Sequence, residues 1–121
     1  MIYTASFFKL KHFKGEAVSV ANSCPDWFEG KQLKSFSPPW WAVNKFKKGE
    51  MDWERFTVVY NGYLDQADIS EEMNYITNIL SEGADVTLLC WEHHAGRCHR
   101  RLLAEWLSKK LKIELDKDNI R

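Results

Sequence analysis

The chain has 121 residues, of which 45% are hydrophobic, 28% charged and 14% aromatic. That is a globular profile at the size of one domain, and it excludes a disordered chain. Seventeen basic and seventeen acidic side chains cancel to a formal net charge of +0, which argues against a protein that lives by non-specific phosphate contact.

No apolar stretch approaches membrane-spanning length, so no membrane association is expected. The start, MIYTASFFKLKHF, lacks the basic, apolar and small-residue regions of a secretion signal, and a cytoplasmic location is expected. In a reducing compartment three cysteines read as free thiols or site residues, not as a disulfide framework.

Residues 2 to 8, IYTASFF, are β-branched and aromatic and predict a strand. A short polar link leads to AVSVANS, residues 17 to 23, a second predicted strand. Residues 24 to 39 hold all three prolines and predict a long loop, a feature that in a small domain is more often functional than idle. Residues 40 to 49 predict a short helix ended by Gly49. From Trp53, the apolar positions Phe56, Val59/Tyr60 and Tyr63/Leu64 recur at helical spacing. Residues 70 to 83 predict a third helix, with Ser70 as N-cap, Glu71 and Glu72 in the first turn and Gly83 at the C-terminal end. DVTLLC, residues 85 to 90, is a nearly continuous apolar strand, as expected when both faces are covered. Residues 98 to 111 predict an amphipathic helix, and KIEL near the end a last short strand.

This order predicts an α/β fold: a single small domain over residues 1–121, with a mostly parallel, Rossmann-like sheet flanked by helices. The first link is short for a crossover between parallel neighbours. Either a single helical turn manages it, or the first two strands are antiparallel.

The chemistry concentrates in LLCWEHHAGRCHRRLLAEWL, residues 88 to 107. Cys90 closes a buried strand, and in open α/β sheets ligands bind outside the carboxyl ends of the strands. At ~100° per residue, Leu102, Leu103, Trp106 and Leu107 define the buried face of the following helix. His99 falls on that face, Arg100 falls at its edge, and Arg101 faces Glu105 on the surface. The free N–H groups at the helix start predict an anion site, to which Arg100 adds a bidentate donor. The same field is expected to lower the pKa of Cys98.

Each residue has a structural alternative. Cys90 can be a small buried hydrophobe, Cys98 a packing or capping residue, Glu92 a cap or ion-pair partner, and His93 and His94 solvated loop residues. Adjacent ligand pairs on one short loop make an awkward tetrahedron, so no metal and no cofactor are expected. A phosphatase-like Cys-x5-Arg loop fails by count, since six residues separate Cys90 from Arg97.

The segment TLLCWE…CHRRLLAEWL resembles the signature of a bacterial and phage family known as domain of unknown function 488, through Leu88, Leu89, Cys90, Glu92, Cys98, His99, Arg100, Leu103, Ala104, Glu105, Trp106 and Leu107. Trp91 stands where a tyrosine is common. IYTASFF, VSVANSCPDWF and FSPPWWAVNKFK extend the resemblance over nearly the whole chain. It implies a shared site of Cys90, Glu92, Cys98, His99 and Arg100, facing residues around Asn22, Ser23 and Trp27, but no activity. If the first two strands run parallel to the third, their ends near Ser6 and Asn22 converge on the same pocket.

Three functions follow as expectations. The first is a pocket for a small anionic ligand, a nucleotide or phosphorylated metabolite. There Cys98, His99 and Glu92 are the candidate catalytic groups, and Arg100, Cys90, Asn22, Ser23, Trp27 and Ser6 the candidate ligand contacts. Trp27, Trp40 or Trp41 would stack on a ring. The second is a nucleic-acid accessory module using the basic C-terminal helix with Arg97, Arg100, Arg101, Lys109, Lys110 and Lys112. The third is a non-catalytic interaction protein presenting the tryptophans of residues 24 to 41.

Overall fold

Apolar and β-branched residues build four parallel strands: β1 (Ile2–Ser6), β2 (Glu16–Ser19), β3 (Lys31–Gln32) and β4 (Val86–Cys90). The computed structural model describes residues 1–92 and 98–116. Four helices accompany the strands: α1 (Trp40–Lys47), α2 (Trp53–Gln66), α3 (Ser70–Ser81) and α4 (His99–Leu111). The α/β class and the parallel sheet agree with the sequence reading. No described helix is long and apolar enough to cross a membrane.

The strand order is β1-β4-β2-β3, so β1 and β2 are not neighbours. β4 lies between them, and every one of its residues is buried, which accounts for its nearly continuous apolar sequence. The two strands are not antiparallel, and a single helical turn does manage the link, although it crosses over β4 and not to a neighbouring strand. The link carries one 3-10 turn, Leu10–His12. It is tied to the middle of β4 by Thr87, whose Oγ1 accepts from Lys14 N (2.8 Å) and donates to Lys14 O (2.7 Å). Gly15 then turns the chain into β2 at φ +63, with Asp85 so close that a Cβ would lie 2.2 Å from its carbonyl oxygen.

This topology divides the two faces of the sheet. From β2 to β4 the chain moves one way along the sheet, and from β1 to β2 it moves the other way. Crossovers of one hand must then lie on opposite faces. The buried residues of all four helices join Ile2, Val18, Val20, Val86 and Leu88 in one core. Ala5, Phe7 and Leu89 are covered by the links instead, through Phe13, Cys24 and Phe28.

Several boundaries differ from the sequence reading. β1 stops at Ser6 and β2 at Ser19, although Phe7 N and Val20 N still donate to Cys90 O and Leu89 O at 3.1 and 3.0 Å. The segment 24–39 is not all loop: it contributes β3 at the sheet edge and a 3-10 turn, Lys34–Phe36. Ser70 is the first residue of α3 rather than its cap, and its N–H and hydroxyl both donate to Asp68 Oδ1. The final strand is reduced to a single bridge between Ile2 and Leu115.

Candidate functional site

β1, β2 and β4 run in the same direction, so their carboxyl ends share one edge of the sheet. A crevice of about 280 Å³ opens there, lined by Ala21, Asn22 and Ser23 after β2, and by Cys90, Trp91 and Glu92 at the end of β4. Its other wall comes from Ser37 and Pro38 and from Trp40, Val43 and Lys47 of α1, with His99 of α4 completing it. A second hollow of about 180 Å³ adjoins it through Pro38, Val43, Lys47, Glu92 and His99, and reaches Cys98 and Phe56.

Beneath this crevice, Arg100 is fully buried. Its Nη1 donates to Glu92 O (2.7 Å), Cys90 Sγ (3.1 Å) and Cys98 Sγ (3.5 Å). A guanidinium taken out of water needs hydrogen-bond acceptors and a compensating negative charge. Cys90 can supply that charge. Its pKa falls from the ordinary 9.0 to about 5. The main cause is the hydrogen bond donated by the Cys98 thiol; burial opposes it, and the charges of His99 and Arg100 and the backbone N–H of Glu92 add to the lowering. Cys98 is pushed the other way, first by burial and then by the neighbouring Cys90. The two shifts run in opposite directions, so the pair favours sharing a single proton, with the negative charge drawn towards Cys90.

The sequence reading expected the lowered pKa on Cys98 and gave Cys90 as a ligand contact with packing as its structural alternative; the lowering falls on Cys90 instead. Cys98 caps the start of α4 in extended backbone and is enclosed at 3% exposure, so burial outweighs the helix field. Arg100 is corrected in the same way. It turns inward to the sulfurs and the Glu92 carbonyl, not outward over the helix start.

His99 is the first residue of α4 and is half-buried. Its Nε2 lies 2.8 Å from Val20 O. A carbonyl only accepts, so Nε2 carries the hydrogen. The ring also meets Tyr60 edge-on, with centroids 5.8 Å apart. Burial of Tyr60 is the main reason its pKa is raised well above the ordinary value, and its hydroxyl donates to Phe36 O.

Of the residues singled out from sequence, Asn22, Ser23, Cys90, Glu92 and His99 line the crevice and Cys98 its neighbouring hollow. Ser6 is buried at the end of β1, where its Oγ accepts from Phe8 N. Trp27 packs edge-on against Phe7 on the sheet face away from the helices. Neither of these two lines the crevice. Trp40 does, whereas Trp41 faces a separate hollow with Lys45, Glu50 and Arg55. His93, His94 and Arg97 lie outside the described residues. Arg101 and Glu105 form the expected surface pair at 3.2 Å.

Sequence reasoning missed Lys47 and the part played by Trp91. The Trp91 indole N–H donates to Ser23 O and Oγ at 3.1 and 3.2 Å, which ties the end of β4 to the turn after β2. Its position directly after Cys90 was the available signal. Lys47 had none, since it reaches the crevice only through the packing of α1.

Cys90, Cys98 and His99 bring three potential metal ligands within 4.8 Å of one another. A cation here would have to displace the Arg100 guanidinium, which donates to both sulfurs. The bond from Nε2 to Val20 O would leave His99 Nδ1 as its ligand atom. The donor set is that of a thiolate held by hydrogen bonds.

Neither a curated protein nor a solved structure matches the chain. A family model described as the active DUF488-N3 subclade matches residues 12–111, a span running from the β1–β2 link to the last residue of α4, and the chain belongs to that family.

Proposed function

We propose that this protein binds a small anionic ligand of nucleotide type in the strand-end crevice and that the Cys90 thiolate attacks it as a nucleophile. The observation that carries this reading is Cys90 in the crevice wall, with a fully buried guanidinium 3.1 Å from its sulfur. A cysteine that merely fills space needs no buried cation beside it. A nucleophile needs its thiolate form, and this environment favours that form.

The crevice walls support the ligand class. Trp40 and Trp91 offer ring faces, Lys47 a cation, and Asn22 and Ser23 short polar groups. Because Arg100 faces the sulfurs, Lys47 and the N–H groups at the start of α4 receive the anionic group. Glu92 and the Nδ1 side of His99 are the acid–base candidates at the same crevice.

Thermal-shift measurements with nucleoside monophosphates and with inorganic phosphate test the binding. Nucleotides should raise Tm, and Lys47→Ala and Trp91→Ala should abolish the shift. A protein whose Tm no nucleotide or phosphate raises does not have this function.

A further inference from the structure

The cysteine pair has a second property that attack on a ligand does not require. Cys90 and Cys98 hold their sulfurs within 4.8 Å of each other, and Arg100 Nη1 touches both. Cys90 carries the reactive form and borders the crevice, while Cys98 keeps its proton and lies just behind. A thiolate that lines a crevice, with a protonated thiol beside it, is the arrangement of a peroxide-sensing pair. Cys24, the remaining cysteine, is partly buried against the cluster of Ala5, Phe7, Ala21 and Leu89 that also holds Cys90 and Cys98.

We propose that Cys90 and Cys98 are a redox modification site, in which a hydroperoxide oxidises Cys90 and Cys98 resolves the product into an intramolecular disulfide. The proposal rests on Cys90 being the thiolate, as in the function proposed above. In the first step the Cys90 sulfur attacks the terminal peroxide oxygen. An S–O bond forms, the O–O bond breaks, and the departing alkoxide takes a proton from solvent and leaves as an alcohol. Cys90 is oxidised by two electrons to a sulfenic acid and the peroxide is reduced. In the second step Cys98 attacks the Cys90 sulfur. The S–S bond forms, the S–O bond breaks, and the Cys98 proton leaves with the hydroxide as water.

Arg100 makes the change consequential. The reduced pair carries one negative charge beside the guanidinium, and the disulfide carries none. Oxidation therefore leaves a buried cation facing two neutral sulfurs, which costs stability. A disulfide that destabilises its fold is readily reduced, so the modification reverses with a thiol. It also removes the thiolate from the crevice, so it blocks the chemistry proposed above.

The test treats the full chain with one equivalent of hydrogen peroxide, followed by intact-mass measurement and peptide mapping. The expected result is a loss of two hydrogen masses, a Cys90–Cys98 linkage, a lower Tm than the reduced protein, and reversal by dithiothreitol. Cys98→Ser should stop at a sulfenic acid that dimedone traps at Cys90, and Cys24→Ser should behave as the wild type does. A linkage through Cys24 would overturn the proposal, as would both thiols surviving. Alkylation of Cys90 by iodoacetamide at about pH 6 separates the two ideas. If Cys90 is alkylated but no disulfide forms, the redox site is wrong and the nucleophile stands. If Cys90 is not alkylated, both are wrong.

Discussion

Arg100 Nη1 lies 3.1 Å from Cys90 Sγ; the guanidinium is fully buried, and Cys90 is 2% exposed at the crevice wall. At that depth a charge is weakly screened and an unmatched one is costly. Arg100→Met keeps most of the side-chain volume and removes the charge. The Cys90 pKa should then rise towards the ordinary cysteine value. Alkylation by iodoacetamide near pH 7 should slow once that rise carries the pKa past 7, by up to roughly tenfold for each further unit. Arg100→Ala also opens a cavity and strips the thiolate of its partner. It should lower stability by about 3–5 kcal/mol in urea unfolding. An alkylation rate unchanged in the Met variant would mean that the guanidinium does not hold the thiolate.

The hydrogen bond from Cys98 is the largest cause of the lowered Cys90 pKa, ahead of the charges of His99 and Arg100. Cys98→Ala deletes that donor, whereas Cys98→Ser keeps one. The alkylation midpoint of Cys90 should therefore move up further in Cys98→Ala than in Arg100→Met, and least in Cys98→Ser. Each midpoint can be read from iodoacetamide rates across a pH series. The reverse order would make the guanidinium the dominant influence.

The same shift makes stability depend on pH in a definite direction. Folded Cys90 loses its proton near pH 5, and the unfolded thiol near 9.0. Between these values the unfolded state binds more protons, so stability rises with pH. It is complete above the unfolded pKa and disappears as pH falls through the folded one. The limiting slope is about 1.4 kcal/mol per pH unit. Cys98 is shifted upward, so its effect is confined to pH above the unfolded value, where it lowers stability as pH rises. Urea midpoints between about pH 5 and 9 should climb in the wild type and climb less in Cys90→Ser. Parallel profiles would show that Cys90 is protonated in the folded protein.

Much of this was legible in the sequence. A nearly continuous apolar run at residues 85–90 specified a strand covered on both faces, and β4 is an internal, fully buried strand of the sheet. The placing of Cys90, Glu92 and His99 at one crevice, with Cys98 in the adjoining hollow, followed from that strand and from the start of α4. The charge distribution among them was not legible. Helical angle puts Arg100 at the edge of the buried face, but not pointing towards two sulfurs, one of which comes from another element. Only the three-dimensional neighbours decide which thiol keeps the proton. The insertion of β4 between β1 and β2 was also hidden, because hydrophobic pattern marks strands without giving their order. Lys47 enters the crevice from α1 with no local motif to announce it.

Two glycines should respond to the same substitution with opposite signs. Gly15 sits at φ +63, and an added Cβ would lie 2.2 Å from the Asp85 carbonyl oxygen. That carbonyl accepts from Glu16 N at 2.9 Å as the chain enters β2, so it cannot retreat without loosening the sheet. Gly15→Ala therefore combines left-handed backbone strain with a backbone collision, and should cost at least about 1–3 kcal/mol. Gly62 lies within α2 with nothing inside 4 Å of its would-be Cβ. Gly62→Ala should add up to about 1 kcal/mol by improving helix propensity. Urea midpoints for the two variants check both at once. A Gly15→Ala protein as stable as the wild type would show that the link from β1 to β2 does not cross β4 in this close contact.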